Sequence, residues 1–117
     1  MQEFEIIFYD LKDGTELVKD YILSLDKKMK SKVLKTLSML QINGNELREP
    51  YTAPIGDGIF ELRVKCSSNI SRILFFFMMN NKIVLTNGFT KKTRKTPKKE
   101  INLSKKYRDD FLGRERE

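Results

Sequence analysis

Apolar and polar positions alternate at the start of the chain. Phe4, Ile6 and Phe8 interleave with Glu5, Ile7 and Tyr9, so FEIIFYD (4–10) reads as a strand with one well-buried face. LKDGT then turns, with Gly14 as punctuation and Thr15 placed to cap a helix. The period changes there. Leu17, Val18, Tyr21, Ile22 and Leu25 form a helical stripe, and Asp26 is placed to cap a second helix carrying Met29, Val33, Leu37 and Leu40 between lysines. That helix stops at NGN (43–45). ELREPYTAPIGDG (46–58), with two prolines and two glycines, reads as loop.

Period two returns in IFELRVKC (59–66), where Phe60, Leu62, Val64 and Cys66 alternate with Glu61, Arg63 and Lys65. SSN (67–69) turns into ISRILFFFMM (70–79), apolar on both faces apart from Ser71 and Arg72, as suits the middle of a sheet. NNK turns again into IVLTNGFT (83–90). Thr96-Pro97 supplies a capping hydroxyl and a first-turn proline for a last helix, 96–113, with Leu103, Tyr107 and Phe111 along one line and 114–117 a frayed tail. The order β-αα-βββ-α predicts one α+β domain over 1–117: a small twisted antiparallel sheet, with a helical hairpin and a C-terminal helix on one face. If SSN closes the hairpin, Lys65 pairs near Ser71 and Arg63 near Ile73. Arg72 then lies diagonal to Arg63 or opposite Cys66, and one slip of register moves it to the other face.

Charge changes this picture. Residues 1–90 hold 12 Lys+Arg against 11 Asp+Glu, whereas 91–117 hold 11 against 5, so the excess of +7 sits almost wholly in the last quarter. GFTKKTRKTPKKE (88–100) alone carries six cations. Such one-sidedness is the footprint of a polyanion binder, the other reading being a solvated basic tract. Lys98 and Lys99 fall in the first turn of the last helix, where the backbone dipole favours anions, so cations there cost local stability that a bound anion relieves. This weighs toward polyanion binding.

The chain has no histidine, and its one cysteine, Cys66, forms no internal disulfide or thiolate cluster. Ser-His-Asp, Cys-His and His-ligated metal chemistry are thereby excluded, and no GxxxxGK[ST] or GxGxxG motif supports nucleotide binding. No apolar run suffices for a membrane span and the acidic start MQEFEIIFYD is unlike a signal peptide, so a cytoplasmic location is expected. The notable cluster is Glu61, Arg63, Lys65 and Arg72. Arginine inside an apolar strand needs a partner or a purpose: an ion pair with Glu61, or a bidentate clamp on phosphate.

GIFELRV, SRILFFF and IVLTNGFTKKTRKTPKKEI together resemble the phage-derived branch of the RelE/HigB toxins of type II toxin–antitoxin systems, in matching order from about Glu3 to Arg108. The resemblance implies a microbial-ribonuclease-like α+β fold and an endoribonuclease that cleaves messenger RNA, commonly in the ribosomal A site, until a cognate helix-turn-helix, HigA-like antitoxin neutralises it. Operator DNA would be met only through the antitoxin. The implied chemistry uses no metal or cofactor: a 2′-hydroxyl attacks the adjacent phosphate. Carried over by motif, Arg63 and Arg72 would stabilise phosphate charge. Lys91 and Lys92 would line the cleft, one of them serving as acid or base, while Glu61 would be a base or, better, a salt-bridge partner. Lys65, Arg94, Lys95, Lys98 and Lys99 would grip RNA backbone. Some relatives place a tyrosine or histidine at the active centre; this chain has no histidine and carries Phe75, Phe76 and Phe77 where a tyrosine is common, leaving Tyr51 or Tyr107 as substitutes. A non-catalytic RNA- or DNA-binding module and a scaffold for a partner are the competing readings.

Overall fold

The computed structural model describes residues 3–91 and 95–115. In chain order the elements are β1 (Glu5–Phe8), α1 (Leu17–Ser24), α2 (Lys27–Asn43), β2 (Thr52–Gly56), β3 (Ile59–Cys66), β4 (Asn69–Met78), β5 (Lys82–Lys91) and α3 (Lys98–Glu115). Asp26 caps α2 as its spacing predicts, its Oδ1 accepting from the Met29 N–H at 2.8 Å. Thr15 does not cap α1. Glu16 stands at that position without a side-chain bond, and the Thr15 N–H instead donates to Asp13 Oδ1 at 2.9 Å. Among the described residues no helix is long and apolar enough to cross a membrane.

The five strands form one mixed sheet in the order β1-β5-β4-β3-β2, an α+β architecture that departs from the expected antiparallel sheet in two places. β1 runs parallel to β5 (Glu5↔Lys82 to Phe8↔Leu85), a pairing that the intervening helices make possible by carrying the chain across. The segment 46–58, expected as loop, contains β2, which pairs antiparallel with β3 (Thr52↔Leu62) and shifts register after Pro54. An edge strand tolerates proline because one side of it needs no ladder donor, so the residue that argued against a strand here marks an edge.

The helices lie on both faces of the sheet, not on one. α1 and α2 cover the face of Leu62, Val64, Ile73, Phe75, Ile83 and Leu85. α3 covers the opposite face, where Tyr107, Phe111 and Leu112 pack on Tyr9, Ile59, Leu74, Phe76 and Val84. That division explains why ISRILFFFMM is apolar on both sides: β4 is central and each face has its own core.

Two details of register decide which side chains meet. The β3–β4 turn is the two residues Ser67–Ser68, Ser67 adopting φ 58°, so Cys66 pairs Asn69 and Arg63 pairs Arg72 directly. A three-residue SSN turn would have offset them by one. In β5, Leu74↔Asn87 is followed by Phe75↔Leu85, leaving Thr86 as a bulge. Thr86 is fully buried and donates to the Leu74 carbonyl at 3.1 Å, within hydrogen-bond reach of Ser104 Oγ on α3 at 2.7 Å. Past the bulge, Asn87, Phe89 and Lys91 share the α3 face, while Gly88 and Thr90 turn to α1. Gly88 is required there by close approach: a Cβ would lie 2.6 Å from the Tyr21 ring, whose hydroxyl bonds Ser71 Oγ and Thr90 Oγ1, each at 2.6 Å.

Candidate nucleic-acid interface

On the α3 face the pairing lays three rows of side chains across β3, β4 and β5. Glu61, Leu74 and Asn87 form the first, Arg63, Arg72 and Phe89 the second, and Lys65, Ile70 and Lys91 the third. Directly paired residues of an antiparallel ladder project to the same side, so the sequence-predicted Glu61, Arg63, Lys65, Arg72 and Lys91 share one surface. The rows also grade in exposure. Glu61 is fully buried and Arg72 is 1% exposed, Arg63 is half-buried, and Lys65 and Lys91 are exposed.

The buried end is an ion network. Glu61 Oε1 accepts from Arg63 Nε at 2.6 Å and from Arg72 Nη1 at 3.0 Å, and Glu61 Oε2 accepts from the Thr96 hydroxyl. Arg72 Nη1 also reaches Thr96 Oγ1 at 3.5 Å. A carboxylate and a guanidinium without exposed surface persist only when paired and hydrogen-bonded, and this arrangement satisfies both. Of the two readings of Arg72, the ion pair with Glu61 is therefore the one its geometry displays. The Arg63 side chain, 35% exposed, is held by Glu61 through Nε from the protein side and meets solvent on the other.

Thr96, whose spacing before Pro97 predicts a helix cap, instead spends its hydroxyl on Glu61. α3 begins at Lys98, with the Glu100 and Ile101 N–H groups donating to the Pro97 carbonyl at 3.0 and 3.2 Å. Gly113 lies inside α3, which continues to Glu115, two residues into the expected tail. The first turn of α3 is pinned to β5 by Asn87 Nδ2, which donates to the Glu100 carbonyl (3.2 Å) and to Glu100 Oε1 (3.0 Å). Lys95, Lys98 and Lys99 are exposed around this junction, whereas Lys92 and Arg94 lie outside the described residues.

The two tyrosines that stood as substitutes separate cleanly. Tyr107 stacks on Tyr9 within the α3 core, ring centroids 4.7 Å apart, and burial pushes its hydroxyl pKa up. Tyr51 is 40% exposed and lines a groove of about 580 Å³ with Arg63 and Lys65. Lys32 and Lys35 of α2 complete that groove's basic wall. Neither lysine stood out in the sequence, because a lysine-rich amphipathic helix ordinarily presents such residues to water. Among the described residues no group of three or more His, Cys, Asp or Glu side chains is placed to hold a metal ion.

Such an arrangement suits a chemistry of phosphate oxygens: cations on three adjacent strands, with one guanidinium held by a buried carboxylate. Against curated proteins the chain has no match. Against protein families, residues 20–109 match the phage-derived protein Gp49-like family (DUF891), a span that contains Glu61, Arg63, Lys65, Arg72 and Lys91. That family belongs to the RelE/HigB-like superfamily of toxin–antitoxin toxins, which implies an antitoxin partner. With more than three quarters of its length inside the match, this chain belongs to the Gp49-like family.

Proposed function

We propose that the chain is the toxin of a HigB-type toxin–antitoxin pair and acts as an endoribonuclease on messenger RNA at the translating ribosome, held in check by a HigA-like antitoxin. The observation that carries this reading is the convergence of Arg63, Lys65 and Lys91 on one surface, backed by the buried Glu61–Arg72 pair. The mixed sheet flanked by three helices is compatible with a RelE-like fold.

In the proposed reaction the RNA 2′-oxygen forms a bond to the adjacent phosphorus and the bond to the 5′-oxygen breaks, leaving a 2′,3′-cyclic phosphate and a 5′-hydroxyl. The 2′-hydroxyl proton passes to a base, and the departing 5′-oxygen gains one. In this reading Arg63 and Lys65 stabilise the pentacoordinate phosphate, and Lys91, in the same row as Lys65, is the candidate proton carrier. Glu61, fully buried and committed to Arg63, Arg72 and Thr96, serves as a positioning residue and not as the base. Arg72 acts with it, through Arg63. Lys95, Lys98 and Lys99 supply backbone contacts that add affinity without sequence readout.

Growth arrest and mapped message 5′ ends test this. Expression of the chain should stop growth and cut messages. Arg63→Ala or Lys91→Ala should reduce cleavage on programmed ribosomes at least about a hundredfold while circular dichroism and melting stay close to wild type. Intact messages on ribosomes that bind the wild-type protein would instead favour a non-catalytic RNA-binding module.

A further inference from the structure

β2 stops pairing with β3 at Thr52↔Leu62, although β3 runs on to Cys66. The Arg63 N–H still donates to the Tyr51 carbonyl at 2.8 Å, but beyond it the β3 edge opens into the groove beneath α2. Lys32 Nζ reaches the Lys65 carbonyl there at 3.4 Å. The two-residue period of a strand sends the Lys65 N–H to the same edge as that of Arg63, so main-chain groups as well as side chains face the groove.

Among the described residues, four cations, Lys32, Lys35, Arg63 and Lys65, line this groove against one carboxylate, Glu49, and one aromatic side chain, Tyr51. Among the described residues no ion pair forms at Lys32, Lys35 or Lys65, so their mutual repulsion is left for a ligand to relieve. The volume of about 580 Å³ is within the range of small-molecule sites. A cationic trough with a half-exposed aromatic ring is the combination that holds single-stranded nucleic acid, the ring stacking on a base and the cations tracking its phosphates. Arg63 belongs to both places: its Nε is tied to Glu61 and its side chain also lines the groove.

We propose that the groove between α2 and the free edge of β3 is a nucleotide subsite, in which Tyr51 stacks on a base flanking the scissile phosphate while Lys32, Lys35 and Lys65 hold the neighbouring backbone. This rests on the RNA-directed reading above and adds to it where the strand runs next to the reacting phosphate. Tyr51 is then a determinant of which base is accepted at that position.

The chain contains no tryptophan, so Tyr51→Trp places a unique fluorophore in the groove of the full-length protein. Titration of this variant with a short 2′-O-methyl RNA, which binds without being cut, should quench and shift the indole emission, whereas inorganic polyphosphate should not. In the parent chain, Tyr51→Ala should weaken oligonucleotide binding about five- to a hundredfold, the range for losing one base–aromatic stack, and Tyr51→Phe should restore it. Lys32→Ala with Lys35→Ala should lower the slope of log affinity against log salt by about 1.4. Oligonucleotide binding seen by polarisation with unchanged indole emission would overturn the subsite and leave the ribonuclease reading standing. Equal quenching by polyphosphate would overturn base stacking. No oligonucleotide binding by either signal at low salt would overturn both readings together.

Discussion

Glu61 holds its carboxylate where no surface is exposed, and Arg63, Arg72 and Thr96 all donate to it. Removing its charge leaves the Arg72 guanidinium buried beside a neutral amide, a change that typically costs about 3–5 kcal/mol. Glu61→Gln should accordingly lower the urea midpoint sharply. Arg63→Ala, at a site one-third open to water, should change stability by no more than about 1 kcal/mol while removing the cleavage proposed above. Equal losses of stability in the two variants would contradict the division of labour between a buried support and an exposed working group. The sequence marked Glu61, Arg63 and Arg72 as a cluster because charges in an apolar strand are conspicuous. It did not mark Thr96 as Glu61's partner, because 35 residues of chain separate the two and a local role as a cap already accounted for the hydroxyl.

At the scale of elements, α3 is fastened at both ends. Asn87 and Ser104 tie its first half to β5, while near its C-terminus Tyr9 donates to Asp110 Oδ2 at 2.7 Å, and Arg114 bonds both Asp110 (2.6 Å) and Asp10 (2.8 Å). Burial, reinforced by the bond to Asp110, pushes the Tyr9 hydroxyl from 10.0 to about 12. Its proton is therefore bound more tightly in the folded state. The stabilisation is complete below the unfolded value near 10 and is lost as pH rises toward 12. The stability difference between wild type and Tyr9→Phe should shrink across that window in urea titrations, and a constant difference would show that Tyr9 titrates alike in both states. Asp110 is shifted the other way by the bonds from Tyr9 and Arg114, so its contribution is held above the ordinary carboxylate range and declines in acid. The helix itself was legible from Leu103, Tyr107 and Phe111. The face it covers was not, since an apolar stripe states that a helix packs but not on which side of a sheet.

For the whole molecule, the positive excess and the shape of the sheet act together. Most of the net +7 comes from residues 91–117, but the groups that meet on the candidate surface are drawn from β3, β5 and α2 as well. Each phosphate contact on a single strand contributes about 0.7 to the slope of log affinity against log salt. Lys65→Ala and Lys91→Ala should each flatten that slope by roughly this amount in polarisation titrations, whereas Lys19→Ala, on α1 and paired to Glu16, should leave it unchanged. Matching slopes for all three variants would place RNA elsewhere.

Local chemistry determined most of the helices and strands of this protein: alternation wrote β1 and β3, apolar runs bounded by turns wrote β4 and β5, the helical stripes and Asp26 wrote α1 and α2, and the cations were concentrated in the last quarter of the chain. Those features depend on neighbours within a few residues, so one sequence reveals them. The tertiary structure decided what joins what. A two-residue turn instead of three set Arg63 opposite Arg72, and the Thr86 bulge brought Lys91 to their side. β2 claimed a proline-bearing edge, and its early end opened the groove at Tyr51. In a strand a single-residue shift reverses every side chain, and composition and periodicity are indifferent to that shift, so only the paired backbone could choose the face on which these cations meet.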